Sequence, residues 1–127
     1  MQVVTPAPET LNGWQARLET FDRERGWDAV LPEHSALHAM EELGEVAREL
    51  LVLAAYKTPD PAVRERLAGE MADLHFLLLK LANQTGVNLQ DALAGKLAQN
   101  EARFPIEPSR AAMDVYEQAR RRPEGEG

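Results

Sequence analysis

The chain has 127 residues, about one domain's length, and its 44% hydrophobic and 28% charged residues exclude a wholly disordered protein. Its net charge of −7 opposes the attraction to phosphate backbones on which nucleic-acid polymer binding depends, so we expect no such partner. The absence of cysteine excludes disulfides and thiolate zinc sites. The sequence has neither an apolar run of membrane-spanning length nor a signal-peptide pattern, which predicts a soluble cytoplasmic protein without a membrane partner.

Proline and glycine divide the chain into segments in which the apolar residues recur at the helical period. A first helix is predicted over residues 10–25, where Gly26 stops it. A second is predicted over residues 35–57. Its apolar residues form two adjoining stripes, and so wide an apolar surface predicts a helix that packs on more than one side.

The third helix has the clearest predicted boundaries. Asp60 is a candidate N-cap, and Pro61 suits the first helical position, where its missing N–H costs nothing. At the other end, Gly86 can close the helix in the left-handed conformation.

Two further helices complete the predicted fold. Asn88 is expected to cap a fourth helix that ends before Pro105, and a weaker fifth helix is predicted over residues 109–121. The fold class is therefore predicted to be an all-α antiparallel bundle of four to five helices, and we expect it to be oligomeric. Residues 1–108 are predicted to form the helical domain, and residues 109–127 a C-terminal helix followed by a frayed tail.

Acidic residues within the two most apolar helices are the most informative feature of the sequence. Glu42 and Glu45 share one face of the second helix, and Glu70 and Asp73 share one face of the third, because residues three apart are neighbours on a helix. In an antiparallel helical hairpin, facing residues have nearly constant sums of residue numbers. Glu42 with Asp73 has the same sum as Glu45 with Glu70, so the four carboxylates are predicted to converge.

Such a cluster predicts a metal site. Four carboxylates in a low-dielectric bundle repel one another unless cations neutralise them, and an oxygen-only ligand set suits Mg²⁺, with Mn²⁺ as a possible substitute. The alternative is a solvated helix face with ordinary pairs, such as Glu45 with Arg48. The mirrored arrangement of two acidic pairs favours the metal site. A di-iron centre is a minor alternative, because the E-x-x-H motifs of di-iron bundles are missing.

A second candidate site lies on the fourth helix. Lys96, Asn100 and Arg103 are spaced to share one helix face, where the lysine and the arginine could bind phosphate. The alternative is an exposed polar face that balances the acidic excess elsewhere.

Three motifs together resemble a known family. Residues 41–45 (EELGE) and, 24 residues later, residues 70–73 (EMAD) resemble the E-E-x-x-E…E-x-x-D signature of the MazG-like nucleotide pyrophosphohydrolases. Residues 96–105 (KLAQNEARFP) resemble the family's third motif, so the resemblance covers residues 14–105. It implies an all-α, cytoplasmic homodimer or homotetramer that cleaves nucleoside triphosphates at the α–β bond, giving a monophosphate and pyrophosphate.

The resemblance also implies roles for individual residues. Glu41 would orient or deprotonate the attacking water, while Lys96 and Arg103 would hold phosphates and Asn100 a phosphate or sugar oxygen. The implied Mg²⁺ ligands are the four carboxylates predicted to converge: Glu42, Glu45, Glu70 and Asp73.

Residues 21–27 (FDRERGW) resemble the segment that precedes the core in the dCTP pyrophosphatase branch of the family, where an aromatic residue helps to hold the base. Trp27 is therefore a candidate for stacking on a base, with packing in the core or at an interface as an equal alternative. His34 and His38 are interpreted as capping or packing residues, with contact to the nucleotide as the alternative.

The sequence thus favours a Mg²⁺-dependent nucleoside triphosphate pyrophosphohydrolase that acts in cleaning the nucleotide pool. The alternative is a non-catalytic helical module that oligomerises or binds a partner and carries a vestigial metal site.

Overall fold

A computed structural model describes residues 6–121, which form helices and contain no strand. The predicted all-α class is confirmed, whereas the predicted frayed tail at residues 123–127 lies outside the described residues. None of the described helices combines the length and apolar character needed to cross a membrane. Within residues 6–121, five α-helices and one 3₁₀ turn follow in chain order: α1 Leu11–Glu24, the 3₁₀ turn Trp27–Ala29, α2 Pro32–Leu53, α3 Val63–Thr85, α4 Leu89–Arg103 and α5 Ile106–Arg120.

The chain divides into two compact units, Met1–Gln90 and Asp91–Gly127. The first contains α1, α2 and α3, and the second contains most of α4 and all of α5. The predicted boundary after residue 108 stays a prediction.

The ends of the first two helices follow from local chemistry. The Thr10 hydroxyl accepts a hydrogen bond from the Gly13 N–H at 3.0 Å, which satisfies one of the unpaired donors at the start of α1. Gly26, with φ 71°, supplies the left-handed residue after α1. Helix α2 begins three residues earlier than predicted, because Pro32 occupies its first turn, where no N–H is needed. It ends at Leu53, before the predicted residue 57.

Most of the residues predicted to begin and end the third helix act at its ends in the structure. Asp60 accepts the N–H of Ala62 at 2.9 Å, although the regular helix starts only at Val63. Gly86 ends α3 in the left-handed conformation with φ 71°, as predicted. Helix α5 starts at Ile106, three residues earlier than predicted, directly after the Pro105 N-cap.

The core of the first unit is centred on the hairpin of α2 and α3, against which α1 packs through α3. The side chain of Gln15 on α1 joins the end of α3 to the start of α4: its Nε2 donates to the Val87 carbonyl at 2.6 Å, and its Oε1 accepts the Leu89 N–H at 3.2 Å. The buried apolar residues are Leu18, Ala39, Val46, Val63, Leu77, Leu79 and Ala82.

An ion-pair network holds α2 against the start of α3. Arg66 donates from Nε to both carboxylate oxygens of Glu49 at 3.1 Å and from Nη1 to Asp60 Oδ2 at 2.7 Å. The Glu49 side chain is only 8% exposed, so its charge depends on this partner. The Ala62 N–H and then the Arg66 guanidinium hold the pKa of Asp60 below its ordinary value of 3.8.

Arg66→Met is therefore expected to lower the melting temperature at pH 7, because it leaves the buried Glu49 carboxylate without a counter-charge. Since the pKa of Asp60 is lowered by folding, its stabilising contribution is present above pH 3.8 and is lost as the pH falls through the folded value. The difference between wild type and variant should thus shrink in acid, as measured by thermal unfolding from pH 7 to pH 3. Arg64→Met, at an exposed position two residues earlier, is the control and should unfold like the wild type.

Candidate functional site

Three carboxylates of the α2–α3 hairpin meet at one point. An oxygen from each of Glu42, Glu70 and Asp73 lies within 4.8 Å of the other two. Glu42 and Glu70 are half-buried, while Asp73 is exposed. The structure therefore brings together three of the four residues predicted as metal ligands.

The cluster has the electrostatics of a cation site. Partial burial raises the pKa of Glu70, and a hydrogen bond with Glu42 together with the charges of Glu42, Glu45 and Asp73 raises it further. A divalent cation would relieve this repulsion, and three carboxylates without nitrogen or sulfur ligands suit Mg²⁺ or Mn²⁺. The residues present therefore fit such an ion.

Glu45 stands apart from the other three carboxylates. It forms an ion pair with Arg48 on the same helix and is not one of the three residues whose oxygens converge. Its charge is nevertheless close enough to raise the pKa of Glu70. The Glu45–Arg48 ion pair, which was the alternative to metal binding in the sequence analysis, is thus present beside the cluster.

A cavity of about 670 Å³ opens beside the carboxylates, and α1, α2 and α3 all contribute to its wall. Glu42 and Asp73 line it, so it is continuous with the carboxylate cluster. Much of the remaining wall is apolar and aromatic, which is typical of small-molecule sites. Its aromatic residues are Trp14, Phe21, Trp27 and Phe76.

Trp27 lies in the 3₁₀ turn after α1 and forms part of this wall. Its ring meets that of Phe21 edge-on, with centroids 5.8 Å apart and an interplanar angle of 67°. The residue is 50% exposed, so much of its surface is open to a ligand. The candidate for base stacking and two of the candidate metal ligands, Glu42 and Asp73, therefore line one cavity.

Comparison with known proteins adds to this geometry. No family model matches the chain. The chain is 30% identical over 102 residues to dCTP pyrophosphatase 1 of Mus musculus and 32% identical over 102 residues to that of Bos taurus. Each alignment covers 76% of this chain, and the chain spans 59% and 60%, respectively, of the length of these relatives.

This chain is a relative of the dCTP pyrophosphatases. The homology is distant, and the all-helical fold fits the MazG-like superfamily of all-α nucleoside triphosphate pyrophosphatases. The resemblance predicted from the three motifs is thereby confirmed.

The remaining candidate residues either do not line the cavity or belong to the other unit. Glu41 is exposed on α2, immediately before Glu42, and does not line the cavity. Lys96, Asn100 and Arg103 are exposed on the part of α4 that belongs to the second unit. Their predicted roles stay predictions.

Several polar residues that line the cavity were not among the predicted site residues. His34 and His38, for which contact with the nucleotide was the alternative to capping or packing, both line it, and His38 Nε2 lies 3.4 Å from Glu42 Oε1. Ser35, Lys80 and Asp22 also line it. The sequence could have indicated two of these residues. Ser35 and Lys80 have the same sum of residue numbers as Glu42 and Asp73, so the predicted register of the α2–α3 hairpin places them opposite each other.

Proposed function

We propose that the protein hydrolyses nucleoside triphosphates at the α–β bond, giving a nucleoside monophosphate and pyrophosphate, and that it cleans the cytoplasmic nucleotide pool. The observation that carries this proposal is that Glu42 and Asp73 belong both to the carboxylate cluster and to the wall of the aromatic cavity. Triphosphate oxygens could thus lie at the carboxylates while the base occupies the cavity. The distant relationship to the dCTP pyrophosphatases supports the same chemistry.

The carboxylates are proposed to hold Mg²⁺, or Mn²⁺ in its place. Glu42, Glu70 and Asp73 would be ligands in their present positions, and Glu45 would join them after releasing Arg48. When bound, the ion would neutralise charge on the phosphoanhydride and polarise the bond to be cleaved.

The other motif residues are proposed to act on the water and the phosphates. Glu41 would orient the attacking water or accept its proton, from its place next to Glu42 on α2. Lys96 and Arg103 would bind phosphate oxygens, the arginine through two parallel hydrogen bonds, and Asn100 a phosphate or sugar oxygen. These four roles rest on the motif resemblance.

Trp27 is proposed to stack on the nucleobase. Trp27→Ala is expected to raise KM by about 5- to 150-fold with little change in kcat, because a stacked base contributes about 1–3 kcal/mol to binding. Steady-state kinetics on the best substrate would measure this. Tyr56→Ala removes an aromatic ring that is 79% exposed and does not line the cavity, and it should leave KM unchanged. An unchanged KM in the Trp27 variant would assign this ring to packing.

The outer face of α2 is proposed to form the interface of a homodimer or homotetramer. Leu37, Met40 and Leu43 are 60%, 69% and 55% exposed, an apolar stripe that a second copy of the chain would cover. Met40→Glu is expected to dissociate the oligomer, as measured by light scattering after size-exclusion chromatography. Gln118→Glu adds the same charge at an exposed polar position and should keep the wild-type mass. A monomeric wild type would refute the interface.

Pyrophosphate release from a panel of canonical and oxidised nucleoside triphosphates tests the activity directly, with Mg²⁺, with Mn²⁺ and with chelator. The expected result is metal-dependent release with a nucleoside monophosphate as the other product. Release of orthophosphate would show that a different bond is cleaved. No turnover of any nucleotide under any condition would favour the non-catalytic binding module instead.

A further inference from the structure

A buried ion pair joins α1 and α3 in the wall of the cavity. The Lys80 Nζ lies 3.9 Å from Asp22 Oδ2, and the two side chains are only 13% and 10% exposed. Both residues line the cavity that Glu42 and Asp73 also line. Charged side chains are seldom buried to this extent unless their hydrogen bonds are made.

The hydrogen bonds of this pair are not made within the part of the chain that the structure describes. A separation of 3.9 Å exceeds hydrogen-bonding distance, and neither side chain has another polar partner among residues 6–121. The three ammonium hydrogens of Lys80 and the two carboxylate oxygens of Asp22 therefore have capacity for a ligand in the cavity. The Lys80 Nζ is also 6.0 Å from the centroid of the Trp27 ring, so its ammonium group lies beside the aromatic part of the cavity wall.

A third polar group in the same wall lacks a partner. Ser35 is 2% exposed, and its hydroxyl has no hydrogen-bond partner among the described residues. An unpaired hydroxyl at such a depth is costly, and a ligand that enters the cavity can supply the missing hydrogen bond.

Helix geometry places these polar groups at a defined distance from the carboxylates. Ser35 precedes Glu42 on α2 by seven residues, and Lys80 follows Asp73 on α3 by seven residues. Seven residues are nearly two full turns, so each pair shares a helix face with an axial separation of about 10 Å. Because the helices of the hairpin run in opposite directions, Ser35 and Lys80 lie at one level. A nucleotide with its phosphates at the carboxylates would bring its base to that level.

We propose, on the basis of the proposed function, that Asp22, Lys80 and Ser35 determine base specificity by hydrogen-bonding the polar edge of the nucleobase that stacks on Trp27. Lys80 donates to a ring nitrogen or carbonyl oxygen of the base, and Asp22 accepts from a neighbouring ring N–H or amino group. The Ser35 hydroxyl donates or accepts according to the base. The ligand class is a nucleobase edge on which an acceptor lies next to a donor.

The competing explanation is that the ion pair only holds α1 against α3. A purely structural pair would affect nucleotides with different bases to the same extent. A pair that contacts the base would affect most strongly the base whose donor and acceptor it matches, so the ranking of bases separates the two explanations, and a base-free triphosphate reports on the phosphate end alone.

The test compares wild type with the double variant Asp22→Asn/Lys80→Met on the best nucleoside triphosphate and on 2-deoxyribose 5-triphosphate, which has no base. Both charges are removed together because a single substitution would leave the other one buried and unpaired. The expected result is a loss in kcat/KM of about 10- to 100-fold on the nucleotide, as for a lost hydrogen bond to a charged group, and no loss on the base-free substrate. Equal losses on the two substrates, or equal losses on nucleotides with all four bases, would overturn the proposal.

Arg66→Met is the matched control, because it breaks an interhelical ion pair that does not line the cavity. It should change the melting temperature without changing the ratio of activities on the two substrates. Ser35→Ala should lower that ratio in the same direction as the double variant.

A binding measurement keeps this inference separate from the proposed function. If the wild type releases no pyrophosphate, the proposed function fails, and binding of the four nucleoside monophosphates is then measured by calorimetry on folded protein. Affinity that falls about 10- to 100-fold in the double variant but not in Arg66→Met would still assign base recognition to the pair. Affinities equal to those of the wild type would refute it.

Discussion

Asp73→Asn should reduce pyrophosphate release by about 1000-fold, because it removes one charged ligand from the three-carboxylate cluster while keeping the shape of the side chain. A metal ion supplies several kcal/mol of charge stabilisation in phosphoryl chemistry, and each 1.4 kcal/mol corresponds to about a tenfold change in rate. The measurement is kcat at saturating Mg²⁺ and nucleotide. Glu42→Gln is expected to have a similar effect, since Glu42 belongs to the same cluster and lines the same cavity.

Glu65→Gln provides the control for both substitutions. Glu65 is an exposed acidic residue in the first turn of α3, outside the cluster, and its loss should leave kcat unchanged. Circular dichroism should show the same helix content in all three variants. Near-normal turnover by the folded Asp73 variant would remove the carboxylate cluster from the proposed mechanism.

The second large effect is expected on stability. Adding Mg²⁺ or Mn²⁺ to chelator-treated protein should raise the melting temperature by about 10 °C at an ion concentration 100 times the dissociation constant, where ligand binding adds about 2.7 kcal/mol for a domain of this size. The ion binds the folded cluster and not the dispersed carboxylates of the unfolded chain. Thermal unfolding monitored by circular dichroism over a metal titration would measure the rise.

Glu70→Gln distinguishes this stabilisation from a general salt effect. Folding raises the pKa of Glu70 above its ordinary value of 4.5, so its favourable contribution exists below that pH and is lost as the pH rises through the folded value. At neutral pH without metal, the variant should therefore melt at a higher temperature than the wild type and should lose the response to metal. A metal response that survives in Glu70→Gln, or that is missing in the wild type, would contradict a metal centre at this cluster.

The convergence of the carboxylates could be predicted from sequence because it depends on one parameter, the register of the α2–α3 hairpin. That parameter placed Glu42 opposite Asp73 and brought Glu70 beside them, as the structure shows. It could not decide the partner of Glu45, because the Arg48 guanidinium three residues away competes with the cluster for the same carboxylate. Choices between a local and a long-range partner depend on side-chain rotamers, which spacing alone does not determine.

The residues that line the cavity were harder to predict from the sequence. Ser35 and Lys80 follow the hairpin register, but Asp22 is on α1, whose approach to α3 depends on packing and not on a symmetric turn. The helix ends show a related limit. Prolines were interpreted as breaks between helices, yet Pro32 is the first residue of α2 and Pro105 is the N-cap of α5, because a proline that interrupts one helix also suits the beginning of the next.

The hydrogen bonds of Gln15 attach α1, which forms one wall of the cavity, to the end of α3 and the turn that follows it. Its side chain bonds the Val87 carbonyl and the Leu89 N–H, and its main-chain carbonyl accepts the Asn83 side-chain amide at 3.0 Å. Movement of α1 away from α3 would break these three hydrogen bonds. For the proposed nucleotide site, we therefore expect a binding space that is largely formed before the ligand arrives, so that little affinity is lost to ordering the protein.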